Sequence, residues 1–126
     1  MSREESRASG TSLDGRRRAF VGFLERRCGP SLRAVVRYGP GGTRPLVYRD
    51  ADAVRTATDV AAEHRREPRA AADERRRCSL HLYDSLIVLH FGAGERGGFL
   101  VALSPDAGRN LVGFVENCER RLSRSD

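Results

Sequence analysis

The sequence predicts a single α+β domain in which a five-stranded antiparallel sheet is flanked by helices. Between residues 79 and 103, apolar residues recur with a period of two, which is typical of strands. Between residues 105 and 122, apolar residues recur at helical spacing. The 126 residues are enough for one domain whose core needs neither a disulfide nor a metal. The predicted element order is α-β-β-α-β-β-β-α.

The N-terminal part of the chain predicts a tail followed by a helix. Residues 1–12 show no hydrophobic period, so we expect a disordered tail there and a folded domain over residues 13–123. Asp14 is suited to cap a helix over residues 15–28, which a Gly-Pro pair ends. The apolar face of this helix is formed by Ala19, Phe20, Phe23, Leu24 and Cys28.

The first two strands are predicted on either side of a glycine-rich turn. Residues 32–38 alternate as a strand does, and residues 39–42 form the turn. Residues 45–49 predict a short return strand, and Pro45 places it at a sheet edge because proline donates no ladder hydrogen bond. One side of the first strand is formed by Leu32, Ala34, Val36 and Tyr38.

A middle helix is predicted to follow Asp50 and Asp52 and to end before Pro68. Its apolar stripe is thin, so we expect this helix to complete its burial against another chain. The sequence leaves the conformation of residues 66–78 open. The expected interface combines this stripe with one sheet face, and its residues are Val54, Ala57, Val60, Ala61, His64, His81 and His90.

Residues 78–83 and 86–91 predict a hairpin with a two-residue turn. The cross-strand pairs that follow are Ser79 with His90, His81 with Val88, and Tyr83 with Leu86. The core-facing side of this hairpin is expected to be formed by Leu80, Leu82, Ile87, Leu89 and Phe91.

The last strand and the last helix complete the predicted domain. Residues 99–103 alternate as a strand, and Ser104 is suited to cap a helix that starts at Pro105. The apolar stripe of that helix is formed by Leu111, Phe114, Val115, Cys118 and Leu122.

This order of elements resembles the roadblock/LC7 (longin-like) fold, and a profilin-like arrangement has a similar order. The resemblance covers residues 14–122 and rests on the order and the lengths of the elements. It implies that the middle helix lies on one face of the sheet and the two terminal helices on the other.

Two stretches of sequence carry a second resemblance, SLRAVVRY at residues 31–38 and LSPDAGRNLVGFVENCERRL at residues 103–122. They are similar to a family of small uncharacterised haloarchaeal domains. That family has no assigned activity, so the resemblance implies a lineage and not a function. The basic charge of this chain departs from the acidic composition usual in haloarchaeal proteins. Further positions of the family pattern are filled by His90, Phe91, Pro105, Asp106 and Ala107.

Positive charge is concentrated in one part of the chain. The net charge is +6, and all 23 basic residues are arginines. The segment from Arg16 to Arg49 holds nine of them and a single acidic residue, Glu25, which gives that segment +8. Such a local excess favours an anionic partner, so a nucleic-acid-associated regulator is the alternative function. The expected anion-binding patch is formed by Arg16, Arg17, Arg18, Arg26, Arg27, Arg33 and Arg37.

No motif in the sequence predicts an enzyme. The residues from Gly92 to Gly97 match G-x-G-x-x-G, but a strand follows them, whereas a dinucleotide fingerprint needs a helix there. The chain has no lysine, which excludes a Walker A phosphate loop. His81 and His90 share a strand face but lack a third metal ligand. We therefore expect no catalytic residue, no metal, no cofactor and no small-molecule substrate.

The cysteines and the apolar runs bear on the cellular environment. Cys28, Cys78 and Cys118 are far apart in sequence and lie at apolar positions, which predicts free thiols. The N-terminus lacks an apolar signal region, and no apolar run approaches the roughly 18 residues of a membrane span. We expect a cytoplasmic, non-enzymatic interaction or regulatory module whose partner is another protein or a second copy of the chain.

Overall fold

The computed structural model describes residues 2–66, 78–92 and 97–124, with side chains described for residues 15–63, 78–92 and 97–122. Short 3₁₀ helices at Gly29–Ser31 and Pro105–Gly108 precede the first strand and the last helix. The main elements of these residues are α1 (Ser2–Cys28), β1 (Leu32–Gly39), β2 (Gly42–Tyr48), α2 (Ala51–Arg66), β3 (Cys78–Leu82), β4 (Ile87–Gly92), β5 (Gly98–Leu103) and α3 (Leu111–Arg124).

The five strands form one antiparallel sheet in the order β2-β1-β5-β4-β3. This confirms the predicted α+β class, with a sheet flanked by helices. The hairpin of β3 and β4 has the predicted register, in which Ser79 lies opposite His90. The N–H group of Tyr83 donates a hydrogen bond of 2.8 Å to the carbonyl of Leu86, so the predicted two-residue turn closes the hairpin.

Helices α1 and α3 pack together on one face of the sheet. Phe23 of α1 stacks with Phe114 of α3 at a ring-centroid distance of 6.4 Å. Arg121 of α3 lies 3.9 Å from the centre of the Phe23 ring. An aromatic pair of this kind stabilises a core by about 0.5–1.5 kcal/mol beyond its buried area. The strand residues buried on this face are Leu32, Val35, Val47, Ile87, Leu89, Phe91, Val101 and Leu103.

Helix α2 covers the opposite face of the sheet. Its inward residues are mostly alanines, and small side chains let a helix lie close to the strands beneath it. The thin apolar stripe seen in the sequence is therefore wide enough to anchor α2 on its own sheet. The strand and turn residues buried on this face are Ala34, Val36, Tyr38, Leu86, Val88, Leu100 and Ala102.

A register shift in β1 changes which side chains share a face. The pairing of β1 with β5 shifts between Leu32 and Ala34. Leu32 therefore packs on the face of α1 and α3, whereas Ala34 packs beneath α2. The expectation that these two residues share a side is wrong, because a bulge reverses the alternation of side chains at one point.

Helix α1 begins at Ser2, whereas the sequence predicts a tail over residues 1–12 and a helix from residue 15. Residues 2–12 contain no proline and one glycine, Gly10. Once a helix nucleus exists, each added residue gains one hydrogen bond, so a helix anchored further along the chain extends backwards at little cost.

Helix α3 begins at Leu111 and not directly after the predicted cap, Ser104. A 3₁₀ turn over Pro105–Gly108 comes first. Asn110 then has a φ of 55°, in the left-handed region that interrupts a helix. The hydroxyl of Ser104 donates its hydrogen bond to the carboxylate of Asp106 and makes no capping bond to the backbone.

Candidate functional site

Strand β3 lies at one border of the sheet, and its only strand neighbour among the described residues is β4. The side chains of Leu80, Leu82 and Tyr83 are 47 %, 70 % and 45 % exposed. The expectation that Leu80 and Leu82 lie in the core is therefore wrong. Their cross-strand partners Leu89 and Ile87 are buried, because β4 lies between two strands whereas β3 has a strand on one side.

Among the described residues, the backbone of β3 also has an open side. The backbone N–H of Tyr83 donates a hydrogen bond to the carbonyl of Leu86, and such hydrogen-bonded positions alternate along an antiparallel strand. The N–H and C=O groups of Leu80 and Leu82 consequently point away from β4. An open row of backbone groups accepts a further strand. We call this row, together with the side chains of Leu80, Leu82 and Tyr83, the β3 edge.

The opposite border of the sheet, β2, is protected against strand addition. Pro45 removes one backbone donor, and Arg44 adds an exposed charge. The pairing of β2 with β1 also shifts between Val35 and Val36, which marks a bulge or irregularity. Tyr48 is exposed at the end of this strand. The two borders therefore differ, and β3 is the one that carries apolar side chains without a proline or a charge.

The interface predicted along the middle helix needs correction. Ala57, Val60 and Ala61 are at most 1 % exposed and pack in the core beneath α2. Val54 is partly buried against the same core. The side chain of His64 lies outside the described residues. The apolar stripe of α2 packs against the sheet of the same chain, so this stripe does not offer a surface to a partner.

The two histidines of the predicted interface occupy different environments. His90 is 5 % exposed, and its Nε2 atom shares a hydrogen bond with the hydroxyl of Tyr38. His81 is half-buried on the border strand. His90 is therefore a core residue and unavailable to a partner. The described residues hold no group of three or more histidine, cysteine or acidic side chains placed to bind a metal.

The structure brings together part of the predicted arginine patch. Arg37 of β1 lies opposite Arg44 of β2. Arg44 is not among the residues predicted for this patch. Burial lowers the pKa of Arg37, and the positive charges of Arg17 and Arg44 lower it further. The register of the β1–β2 hairpin, which pairs Arg37 with Arg44, is the feature that would have added Arg44 to the predicted patch. The remaining members of the predicted patch are exposed, namely Arg16, Arg18, Arg26, Arg27 and Arg33.

The three cysteines are free thiols, as predicted. Burial raises the pKa of Cys78 to about 12, and the charge of Glu119 adds to this effect. Burial also raises the pKa of Cys28 and of Cys118. Cys118 is buried in the core of α1 and α3, and Cys28 and Cys78 pack against that same core. At neutral pH they act as small apolar core groups.

Residues 18–123 match a family described as a domain of unknown function, DUF7522. The chain belongs to this family. The matched residues of the DUF7522 domain include all five strands, α2, nearly all of α3 and the part of α1 that packs on the sheet. No curated protein and no solved structure matches the chain. Among the described residues, no helix combines the length and the apolar character that crossing a membrane requires.

Proposed function

We propose that this DUF7522 domain is a non-enzymatic interaction module that associates with a second copy of itself through the β3 edge. The observation that carries the proposal is the contrast between the two borders of the sheet. β2 has a proline, an exposed arginine and a shifted register, whereas β3 presents Leu80, Leu82 and Tyr83 beside open backbone groups. Large exposed apolar groups at a strand edge are typical of an interaction site.

A second copy of the chain is the partner that this edge fits best. Two identical antiparallel strands pair around a two-fold axis, so the same residues contribute from both subunits. The five residues of β3, Cys-Ser-Leu-His-Leu, include no carboxylate, lysine or arginine, so self-pairing opposes no like charges other than those of His81. Such pairing would join the two sheets into one of ten strands.

The non-enzymatic part of the proposal rests on how the polar side chains singled out in the sequence are used. His90 is bonded to Tyr38 in the core beneath α2, and Ser104 is bonded to Asp106 beside α3. These groups therefore contribute to the packing of the domain. The placement of α2 on one face and of α1 and α3 on the other also supports a relationship to roadblock-like interaction domains.

Sedimentation velocity at rising protein concentration tests self-association. We expect wild type to dimerise at micromolar concentration and Leu82→Arg to remain monomeric, because the arginine would bring two like charges into the pair. Tyr48→Arg is the matched control, since Tyr48 is 63 % exposed at the opposite border of the sheet. The Tyr48→Arg protein should dimerise like wild type. A wild-type protein that stays monomeric at high micromolar concentration would refute the proposal.

A further inference from the structure

Arg37 lies in an unusual position for a charged side chain. It is in β1, directly opposite Arg44 of β2 on one side and Phe99 of β5 on the other. Directly opposite residues of neighbouring strands share a sheet face, so the two guanidinium groups and the ring project to the same side. Phe99 packs against the core of α1 and α3, which places Arg37 and Arg44 on that face.

Helix α1 brings a third arginine to the same place. Phe20 of α1 meets Phe99 edge-to-face, with ring centroids 5.2 Å apart. Arg17 lies three residues before Phe20, one helical turn away on the same side of α1. Arg17 is close enough for its charge to act on Arg37, as is Arg44. The elements α1, β1 and β2 therefore each place one arginine beside the pair of Phe20 and Phe99.

Nothing in the described part of the chain compensates the charge of Arg37. Its Nε atom is buried and has no hydrogen-bond partner there. Burial and two neighbouring arginines act on its guanidinium, and all three effects disfavour the charged form. A charge kept under such conditions weakens the fold, and sites of this kind are often functional. The residue as a whole is half-buried and so remains partly open to solvent.

We propose that Arg17, Arg37 and Arg44 form a binding site for a compact phosphate-bearing anion. Guanidinium groups present planar forks of N–H donors that match phosphate oxygens in pairs. The apolar wall of Phe20 and Phe99 lowers the local dielectric and strengthens each such bond. A bound phosphate would supply the negative charge that Arg37 lacks among the described residues.

This site is independent of the proposed dimer. Arg37 and Arg44 lie in β1 and β2, and the strands β5 and β4 separate them from the β3 edge. Of the nine arginines between Arg16 and Arg49, the proposed site uses three, namely Arg17, Arg37 and Arg44. Arg26 and Arg27 lie nine and ten residues further along α1 than Arg17, roughly 13–15 Å at 1.5 Å per residue, and therefore stay outside it.

Isothermal titration with pyrophosphate at constant physiological ionic strength tests this site. We expect wild type to bind pyrophosphate and Arg44→Gln to bind it about tenfold more weakly, because one paired contact is lost. Arg44 is exposed, so this substitution leaves the fold intact. Arg37→Gln should weaken binding similarly. Arg26→Gln, an exposed arginine of the same helix as Arg17, is the matched control and should bind like wild type.

The unfolding temperature gives a second measurement, without ligand. Arg37→Gln should unfold no earlier than wild type, since it removes a charge that its surroundings oppose. A single-stranded oligonucleotide that displaces pyrophosphate would assign the phosphate to nucleic acid, and one that does not would assign it to a small phosphate compound. Equal pyrophosphate affinity of wild type, Arg37→Gln and Arg44→Gln, or an equal loss in all variants including Arg26→Gln, would overturn the proposal.

Discussion

Tyr38 of β1 and His90 of β4 share a hydrogen bond that passes over β5, the strand between them. Both side chains are buried on the face that α2 covers. Gly98 of β5 lies opposite Tyr38, and a Cβ atom at that glycine would come 3.0 Å from the tyrosine hydroxyl. The missing side chain therefore lets the Tyr38 ring reach a residue two strands away.

This bond predicts the effect of removing one hydroxyl group. Tyr38→Phe keeps the ring but takes away a buried partner of His90, which should cost about 1–3 kcal/mol of unfolding free energy. Urea unfolding followed by circular dichroism measures the difference. Tyr48→Phe removes a hydroxyl from an exposed tyrosine and should change the unfolding free energy by less than about 0.5 kcal/mol. Equal effects of the two substitutions would contradict the importance of the bond.

Burial of the middle helix predicts that Val60→Asp destabilises the domain and does not act on association. Val60 lies on the inner side of α2 and is 1 % exposed. A carboxylate there would lack a hydrogen-bonded partner in an apolar core. The loss should be on the order of 3–5 kcal/mol, a large part of the roughly 5–15 kcal/mol that stabilises a typical domain.

The neighbouring residue Ala62 provides the control for that substitution. Ala62 is exposed on the outer side of α2, so Ala62→Asp introduces the same charge without burying it. We expect its unfolding midpoint in urea to stay close to that of wild type. If Val60→Asp and Ala62→Asp unfolded at the same urea concentration, the inward placement of Val60 would be wrong.

The buried thiols predict a loss of stability at alkaline pH. Burial raises the pKa of Cys78 from 9.0 to about 12, so between these values the unfolded chain releases the thiol proton while the folded chain retains it. The contribution of this thiol is therefore fully present below pH 9 and is lost as the pH rises toward 12. Unfolding free energies measured from pH 8 to pH 11 should show this decline.

A cysteine variant separates this effect from that of other groups. Tyrosines titrate in the same range, but they do so in wild type and in Cys78→Ala alike. The decline with pH should consequently be shallower in Cys78→Ala. Parallel pH profiles of the two proteins would show that Cys78 ionises as readily in the folded chain as in the unfolded chain.

Local patterns in the sequence determined the elements of this domain. The period-two alternation from residue 79 to residue 103 was sufficient to place β3, β4 and β5, and the two-residue turn fixed the register of Ser79 with His90. Helical spacing placed Phe114 and Cys118 in the core. These predictions succeed because the period of a hydrophobic pattern depends on the backbone geometry of one element.

Which of these apolar side chains are exposed, and which charged side chains lie close together, depends on the tertiary structure. Leu80 and Leu82 alternate as core residues do, yet they are exposed because the order of strands puts β3 at a border. Val60 has the spacing of a thin stripe, yet it is buried because the small inward side chains of α2 let the helix lie close to the sheet. Arg17 and Arg37 lie 20 residues apart in sequence, and the packing of α1 on the sheet at Phe20 and Phe99 brings Arg17 near Arg37. Strand order and helix docking depend on contacts between distant segments, which the periodicity of a single segment does not encode.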